Sequence, residues 1–236
     1  MFVDTIINEA VTRGVHQHIP NDVLVLPCQY LGFSHHHIKF PGTLTSTTET
    51  FMTMMEETIE SLRVHGFRKF LIVNSHGGNS APISVLLQRL MMKYDHDQAE
   101  IYTRFAWGKN LDEPGMRTLG GAGSGHAGET ETSMIMYLRP DLVKMDQFDA
   151  DGMDSEKPGG PIYGATDFQR MDQKTMHGGV GDPRPSTAAA GKAMIDASIA
   201  DVVKTVRSIR AAEPFLALGE RKKAKHRGLW RQISKM

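Results

Sequence analysis

The chain has 236 residues, 40% of them hydrophobic, which is enough to bury a full core in one domain. Its 27 basic and 27 acidic residues balance. This excludes an overall field that would draw the protein to nucleic acid or an anionic membrane, and favours a small-molecule substrate. One cysteine, Cys28, excludes an internal disulfide, and we find neither a signal-peptide pattern nor an apolar run near ~18 residues, so we expect a reducing cytoplasm.

A short helix and a strand are predicted first along the chain. Residues 4–14 place apolar side chains on one helical face and end in Gly14, which suits a C-cap. VLVLP at 23–27 is a continuous apolar run of strand length. The pattern predicts a helix that is followed by a buried strand.

A second helix and a second strand follow. Residues 46–65 repeat apolar side chains at helical spacing, with Ser46 and Glu49 placed as a capping box. Gly66 is expected to stop this helix. KFLIV at 69–73 is typical of a buried strand.

Helices and strands continue to alternate after this point. A helix is predicted around residues 83–90, and IYTRFAW at 101–107 is a third strand. This order predicts an α/β fold with a largely parallel sheet covered on both faces. In such folds ligands bind in loops at the carboxyl ends of the strands.

The C-terminal third of the chain contains loops, one long helix and a basic tail. Residues 145–185 are rich in Gly, Pro and Asp, which favours long loops. A helix is predicted over 186–212, and Pro214 follows it. We therefore place one domain at 1–213 and a tail at 214–236, which is most simply a solvated terminus and alternatively an anion or subunit contact.

The sequence NSHGGN at 74–79 is the first candidate for chemistry. His76 follows the predicted strand closely, and Gly77 and Gly78 let the backbone turn sharply or approach a ligand. An alternative is a glycine turn that carries an exposed histidine. The position after a buried strand favours a functional site, where a metal ion would suit His76.

The sequence HAGETETS at 126–133 is the second candidate. Acidic residues in a first helical turn stabilise the helix dipole, so they need not indicate a site. However, His126 lies just before the helix and Glu129 lies in its first turn, so both side chains can reach one ligand. Histidine with carboxylate suits zinc, manganese or iron, and the two motifs together favour a metal site.

A third cluster, SHHHIKFPGT at 34–43, follows the VLVLP run. Three adjacent histidines cannot all point in the same direction. We expect His35 to be exposed and His36 or His37 to line the pocket. The alternative is a polar loop stabilised by its Pro-Gly turn.

These three motifs resemble those of the creatininase (creatinine amidohydrolase) family, which carries SEHHxxFPGT, an NGHGGN-like loop and HAGExETS in this order. The resemblance extends from about Asp4 to the GDP sequence at 181–183 and the helix after it. It implies a three-layer α/β/α fold with a largely parallel central sheet, often assembled as a hexamer. It also implies a one- or two-metal site that hydrolyses carbon–nitrogen bonds in cyclic or formyl amides.

The resemblance assigns a role to each matching residue. His76 matches a histidine metal ligand, and Asp4 matches an aspartate that bridges two metals in the family. Glu129 is the preferred acidic ligand, and Glu131 is held in reserve. His126 matches a histidine that protonates the departing nitrogen, and we group Glu131 with it as a catalytic candidate.

The remaining candidates concern substrate and cofactor. His36 and His37 are expected to bind substrate, together with Gly77 and Gly78, whose N–H groups face the oxyanion that forms during hydrolysis. The cofactor is expected to be a divalent metal, with zinc preferred over manganese or iron. The expected function is metal-dependent hydrolysis of an amide, cyclic amide or formamide in a small molecule.

The chain also departs from the family pattern. The family has a strand and an E-x-H-G-x-H-L-P sequence before the aspartate, whereas this sequence reads MFVD. His35 stands where the family has glutamate, and Ser75 where it has glycine. The alternative interpretations are therefore an inactive binding or scaffold protein, or a chain read from an internal methionine. Because expected ligands are missing, we expect the chain as written to bind divalent metal weakly and to show little or no amidohydrolase activity.

Overall fold

A computed structural model describes residues 2–94, 98–107, 126–148 and 170–212 of the chain. These residues form five α-helices and two β-strands, with short 3-10 turns between them. The helices are α1 (Val3–His18), α2 (Thr48–Val64), α3 (Ser80–Lys93), α4 (Glu129–Leu138) and α5 (Ala188–Ala211), and the strands are β1 (Lys69–Asn74) and β2 (Glu100–Phe105).

The two strands lie side by side in parallel, and α3 connects them. Lys69 pairs with Glu100 at one end and Asn74 pairs with Phe105 at the other. The Ala106 N–H donates to the Asn74 carbonyl at 2.6 Å, which extends the pairing past the end of the strands. Two of the three predicted strands and their parallel direction are confirmed, and both carboxyl ends lie at one edge.

Side chains of β1 alternate between two hydrophobic cores. Leu71 and Val73 pack on a core built by α1, α4 and α5, whereas Phe70 and Ile72 pack on a core built by α2 and α3. Successive side chains of a strand point to opposite faces, so the sheet lies between two helical layers. The predicted α/β/α layering is confirmed. The fully buried apolar side chains of these cores are Ile7, Val11, Met134, Met194 and Val202 in the first core and Leu86 and Leu90 in the second.

Helix α1 extends beyond its predicted end. Gly14 was expected to cap it, but the helix continues to His18, and Gly14 is buried against α5. A Cβ at Gly14 would lie 2.3 Å from Cδ1 of Ile199. The glycine therefore allows two helices to approach closely, and the C-cap interpretation is wrong.

The N-terminus of α2 also differs from the prediction. Thr47 is the N-cap, and its hydroxyl accepts the Thr50 N–H at 3.1 Å. The Ser46 hydroxyl instead donates to the Gly32 carbonyl at 3.2 Å. The capping box predicted for Ser46 and Glu49 is wrong, because Ser46 is used to bond the preceding loop.

The VLVLP run at 23–27 forms no strand, which is a third difference from the prediction. Leu24 and Leu26 are 63% and 45% exposed. On the side of β1 away from β2, the Val73 carbonyl accepts a hydrogen bond from Nδ2 of Asn8 at 2.8 Å. A strand needs backbone partners. A side chain of α1 thus occupies a carbonyl on the edge of β1 that a further strand would use, and the apolar run lies outside the sheet.

The long C-terminal helix is confirmed as α5, which begins after Thr187, whose hydroxyl accepts the Ala190 N–H at 3.1 Å. The predicted tail at 214–236 lies outside the described residues, as do residues 149–169 of the predicted loop region. Among the described helices, none combines the length and apolar character that crossing a bilayer requires.

The contact between α4 and α5 yields a prediction about stability. A Cβ at Gly191 would lie 1.9 Å from the Ser133 carbonyl oxygen, which is backbone and cannot rotate away. We expect Gly191→Ala to lower the free energy of unfolding by about 1–3 kcal/mol through overpacking. Urea denaturation measures this loss. Ala189→Ser, at an exposed position of α5, is the control and is expected to stay within about 0.5 kcal/mol. An unchanged midpoint for Gly191→Ala would contradict the close approach.

Candidate metal centre

Polar side chains from separate parts of the chain meet beyond the carboxyl end of β1. Asp4 comes from the first turn of α1, and His76 follows β1 directly. A 3-10 turn at His35–His37 supplies two more imidazoles. His126 lies just before α4, as the sequence predicts. These positions agree with the prediction that the three motifs lie at one edge of the sheet.

His76 is held by bonds to both its backbone and its ring. The Asn74 side chain accepts the His76 N–H at 3.1 Å and donates to the His76 carbonyl at 3.0 Å. Nδ1 of His76 lies 2.9 Å from Oδ2 of Asp4. Nε2 of His76 is buried and has no hydrogen-bond partner among the described residues. A carboxylate on Nδ1 fixes the ring so that Nε2 presents its lone pair.

The histidines form a stacked cluster. The ring centroids of His36 and His76 are 5.3 Å apart, and those of His37 and His126 are 4.4 Å apart. Nδ1 of His37 bonds the Ser34 hydroxyl at 2.9 Å, while its Nε2 is buried without a partner in the described structure. Two buried, unpartnered imidazole nitrogens therefore face one small region.

The surroundings favour the neutral form of three imidazoles, those of His36, His37 and His126. Burial lowers the pKa of His37 to about 3, and the neighbouring His126 and His36 rings add to this effect. Burial, followed by the effect of His76, lowers the pKa of His36. Burial also lowers the pKa of His126, although the Asp4 carboxylate opposes the shift. Neutral imidazole is the form that binds metal ions.

The turn before α4 is shaped around Glu131. His126 pairs with Val180 through an antiparallel bridge, and its N–H donates to the Val180 carbonyl at 2.8 Å. Ala127 has a positive φ of 53°, and its N–H donates to Oε2 of Glu131 at 2.7 Å. Burial, together with the nearby Asp4 carboxylate, raises the pKa of Glu131 to about 7. Glu131 therefore belongs to the same electrostatic cluster as Asp4.

Other predicted residues are placed as follows. His35 is exposed, as expected. Glu129 is buried at the first position of α4, and its role as a metal ligand stays a prediction. A Cβ at Gly78 would lie 2.5 Å from the Phe33 carbonyl oxygen and 2.6 Å from both Nε2 of His76 and Cε1 of His36, whereas a Cβ at Gly77 would meet nothing within 4 Å. Gly78 therefore leaves the space between two imidazoles open.

The donor set fits a metal ion. One ring nitrogen from each of His36, His37 and His76 lies within 4.8 Å of the others. Two of these rings have a buried nitrogen without a partner in the described part of the chain, which is a costly state for a polar atom. A bound cation would satisfy these nitrogens, because imidazole nitrogen suits zinc, manganese and iron.

Three supporting residues were missed in the sequence. Ser34 orients His37, Asn74 holds the His76 backbone, and Asn79 joins the two loops, since its Oδ1 accepts the Phe33 N–H at 2.9 Å. Asn74 and Asn79 bracket the glycine motif, and this position next to the candidate ligand was the available signal. The partner of each side chain lies in the fold and cannot be read from the motif.

Comparison with known proteins identifies the family. The creatininase family model, described as creatinine amidohydrolase, matches residues 1–206. The chain belongs to the creatininase family. The match includes all three motifs and confirms the resemblance predicted from them.

Two relatives illustrate the range of the family. The mycofactocin precursor peptide peptidase of Mycobacterium tuberculosis is 27% identical over 208 residues, which cover 86% of this chain and 75% of the relative. The creatinine amidohydrolase of Pseudomonas putida is 27% identical over 161 residues, covering 62% of this chain and 61% of the relative.

Solved structures of creatininase share the fold. One superposes with a TM-score of 0.73 at 21% identity, covering 90% of this chain and 85% of that one. A manganese form gives a TM-score of 0.71, and a zinc–zinc form of a variant gives 0.70. The likeness confirms the predicted creatininase-like α/β fold.

The hydrogen bond from the Phe33 N–H to the Asn79 side chain yields a prediction about stability. We expect Asn79→Ala to lower the free energy of unfolding by about 1–3 kcal/mol, because the Phe33 N–H loses its acceptor. Asn79→Asp keeps an acceptor oxygen and is expected to lose less. Urea denaturation of both variants tests this. Equal losses would show that the Asn79 carbonyl oxygen is not the group that matters.

Proposed function

We propose that this chain is a metal-dependent hydrolase that cleaves a carbon–nitrogen bond, in an amide, cyclic amide or formamide, of a small molecule. The observation that carries the proposal is the buried Nε2 atom of His76, which lacks a partner among the described residues while Asp4 holds the opposite side of the ring. Membership of the creatininase family supports the reaction class.

The cofactor we propose is one divalent metal ion, with zinc preferred over manganese and iron. Solved creatininases include manganese and zinc forms, which supports this choice. His76 is its principal ligand, and Asp4 and Glu129 are the acidic candidates. When bound, such an ion polarises the scissile carbonyl and lowers the pKa of a bound water towards about 7.

Residues of the α4 turn would move the protons. We assign His126 to carry a proton to the departing nitrogen, because its ring stacks on His37 at the centre of the cluster. The lowered pKa leaves this ring neutral at rest, so it first takes up the proton that the attacking water loses. Glu131 is the second candidate for proton transfer, since the Ala127 N–H anchors its Oε2 next to His126. The bridge to Val180 fixes the backbone of His126 and so limits where its ring can point.

The glycine loop and the histidine turn would face the substrate. The position of Gly77 is open, because a side-chain carbon there would meet nothing within 4 Å. We assign the N–H groups of Gly77 and Gly78 to the oxyanion that develops on the carbonyl. His36 and His37 form the adjoining wall of the site.

A peptide substrate is the second candidate. The Mycobacterium tuberculosis relative is a peptidase of a precursor peptide and matches 86% of this chain. A peptide bond is also a carbon–nitrogen bond of an amide, so the same proton transfers would serve. The choice between the two substrates depends on the size of group that the site admits.

The role of His126 is tested by substitution. We expect His126→Ala to lower turnover by about 10²–10⁴-fold and to leave the bound metal unchanged, since a general acid does not hold the ion. Elemental analysis measures the metal, and a hydrolysis assay measures turnover. His16→Ala, at an exposed position of α1, is the control and should change neither. A matching loss of metal in His126→Ala would make His126 a ligand.

The reaction class is tested with purified, metal-loaded protein. Creatinine, a formylaminopyrimidine and short peptides represent the cyclic amide, formamide and peptide classes. We expect hydrolysis in one class and its loss after removal of metal with a chelator. Failure with all three classes, despite a bound ion, would contradict the proposed function and favour a binding or scaffold protein.

A further inference from the structure

The described residues 170–180 form one wall of the candidate site, and the proposed function has given them no role in binding. The 3-10 turn at Met171–Gln173 packs on the 3-10 turn at His35–His37. Further along, Val180 pairs with His126 through the antiparallel bridge. The wall is therefore attached both to the histidine turn and to the loop before α4.

Lys174 ends the 3-10 turn of this wall, and local hydrogen bonds hold its backbone. Its N–H donates to the Met171 carbonyl at 2.9 Å, and the Thr175 N–H donates to the same carbonyl at 2.9 Å. The Thr175 hydroxyl accepts the Gly178 N–H at 2.7 Å. A Cβ at Gly178 would lie 3.4 Å from the ring of Phe40, so the wall is packed here as well. Lys174 thus extends from a backbone that is held on both sides.

The Lys174 ammonium lies beside the His36 ring and is unpaired among the described residues. Burial lowers the pKa of His36, and the rings of His76 and His126 and the Lys174 ammonium add to this effect. Lys174 is half-buried, and no described residue forms an ion pair or a hydrogen bond with its ammonium. Removing a charge from water is costly without a partner, so this position favours an anion.

The nearest carboxylate along the chain is already engaged. Oδ1 of Asp172 lies 2.9 Å from Nε of Arg170. The hydrogen bond from Arg170 lowers the pKa of Asp172, and the exposed Lys39 adds to this effect. Asp172 therefore has two cationic neighbours and leaves the charge of Lys174 without a counter-charge in the described part of the wall.

The carboxylates of the site lie on its other side. Asp4 of α1 bonds Nδ1 of His76 at 2.9 Å, and Glu131 of α4 accepts the Ala127 N–H, next to His126, at 2.7 Å. The site thus has carboxylates beside His76 and His126 and an ammonium on the His36 side. A ligand with an anionic group towards the ammonium would be complementary to this arrangement.

We propose that Lys174 binds a carboxylate group of the substrate, so that the chain acts on small amides that carry a carboxylate. The proposal rests on the hydrolase function proposed above and narrows its substrate class. Lys174 would contact the substrate but none of the reacting atoms, so it determines specificity and takes no part in proton transfer.

A single ammonium suits a carboxylate better than a phosphate or a neutral group. A phosphate monoester carries about −1.5 to −2 charges, whereas Lys174 offers one positive charge. A divalent cation at the proposed centre would repel this ammonium, and an anion between them would offset the repulsion. A neutral substrate would leave the ammonium unpaired, which gives the site a means of discrimination.

Calorimetry with the metal-loaded full chain tests the proposal by binding alone. Pyroglutamate and N-formylglycine are a cyclic amide and a formamide that carry a carboxylate, and their carboxamides are the neutral counterparts. We expect at least one acid to bind about 10–100-fold more tightly than its carboxamide, the range of a hydrogen bond to a charged group. The preference should shrink at about 1 M salt, where screening acts within about 3 Å.

Substitutions separate Lys174 from other sources of a preference for anions. Lys174→Met removes the charge and should abolish the preference, whereas Lys174→Arg should keep most of it. Lys204→Met makes the same charge change at an exposed position of α5 and is the control. That part of α5 lies at the other end of the sheet, where Lys69 donates to the Ile209 carbonyl at 2.8 Å. Circular dichroism confirms that each variant is folded.

Three binding results would overturn the carboxylate site. They are a full preference retained in Lys174→Met, equal affinity of both acids and their carboxamides for the unsubstituted chain, and no binding of either acid. Inorganic phosphate is the competing anion. If it displaces the acids at lower concentration than they bind, and only while Lys174 is present, the site is a phosphate site and the carboxylate assignment is wrong.

Hydrolysis assays distinguish failure of this proposal from failure of the proposed function. For an acid that is hydrolysed, Lys174→Met should raise KM and leave kcat nearly unchanged. Binding that depends on Lys174 without hydrolysis of any amide would overturn the hydrolase and keep the carboxylate site. Hydrolysis that depends neither on a carboxylate nor on Lys174 would do the reverse.

Discussion

The hydrogen bond between Asp4 and Nδ1 of His76 links the start of α1 to the end of β1, and the candidate site depends on it. It fixes which nitrogen of His76 faces the cluster. The ring of His36 stacks on His76 within 8° of parallel, so its orientation follows from that of His76. Asn74 holds the same residue by its backbone, which leaves the ring little freedom.

The hydrogen bond between Asp4 and His76 requires the start of α1 to lie beside the carboxyl end of β1. Asn8, one turn after Asp4, bonds the Val73 carbonyl, and Ile7 and Val11 are completely buried in the core beneath. The polar face of α1 thus bonds the end of β1 while its apolar face packs on α4 and α5. Because one helix does both, loss of core packing would also displace Asp4 from His76.

Periodicity predicted the elements that depend on burial alone. KFLIV and IYTRF became paired strands, and the helices after Ser46 and Ser186 formed within two residues of their expected starts. The failures involve contacts across the fold. Gly14 looks like a cap until Ile199 is placed beside it, and VLVLP looks like a strand although it pairs with no strand among the described residues. A single sequence does not contain these distances.

In the candidate site, too, the sequence predicted the motifs but not the contacts between them. The three motifs predicted which loops meet, because ligands bind in loops at the carboxyl ends of buried strands. They did not show that Ser34 orients His37 or that Glu131 reaches back to the Ala127 N–H. Both contacts join residues at short range, but each depends on a local turn, and Ala127 adopts a positive φ that its sequence does not favour.

The shifted pKa values of two residues in the cluster are compatible with a bound cation. Burial raises the pKa of Glu131 to about 7, whereas burial lowers the pKa of His37 to about 3. Both shifts favour the neutral form, because each charged form is poorly solvated there. A divalent cation at this position would stabilise the carboxylate and would require the imidazole to stay neutral. A cation bound here would therefore interact favourably with both the Glu131 carboxylate and the neutral His37 imidazole.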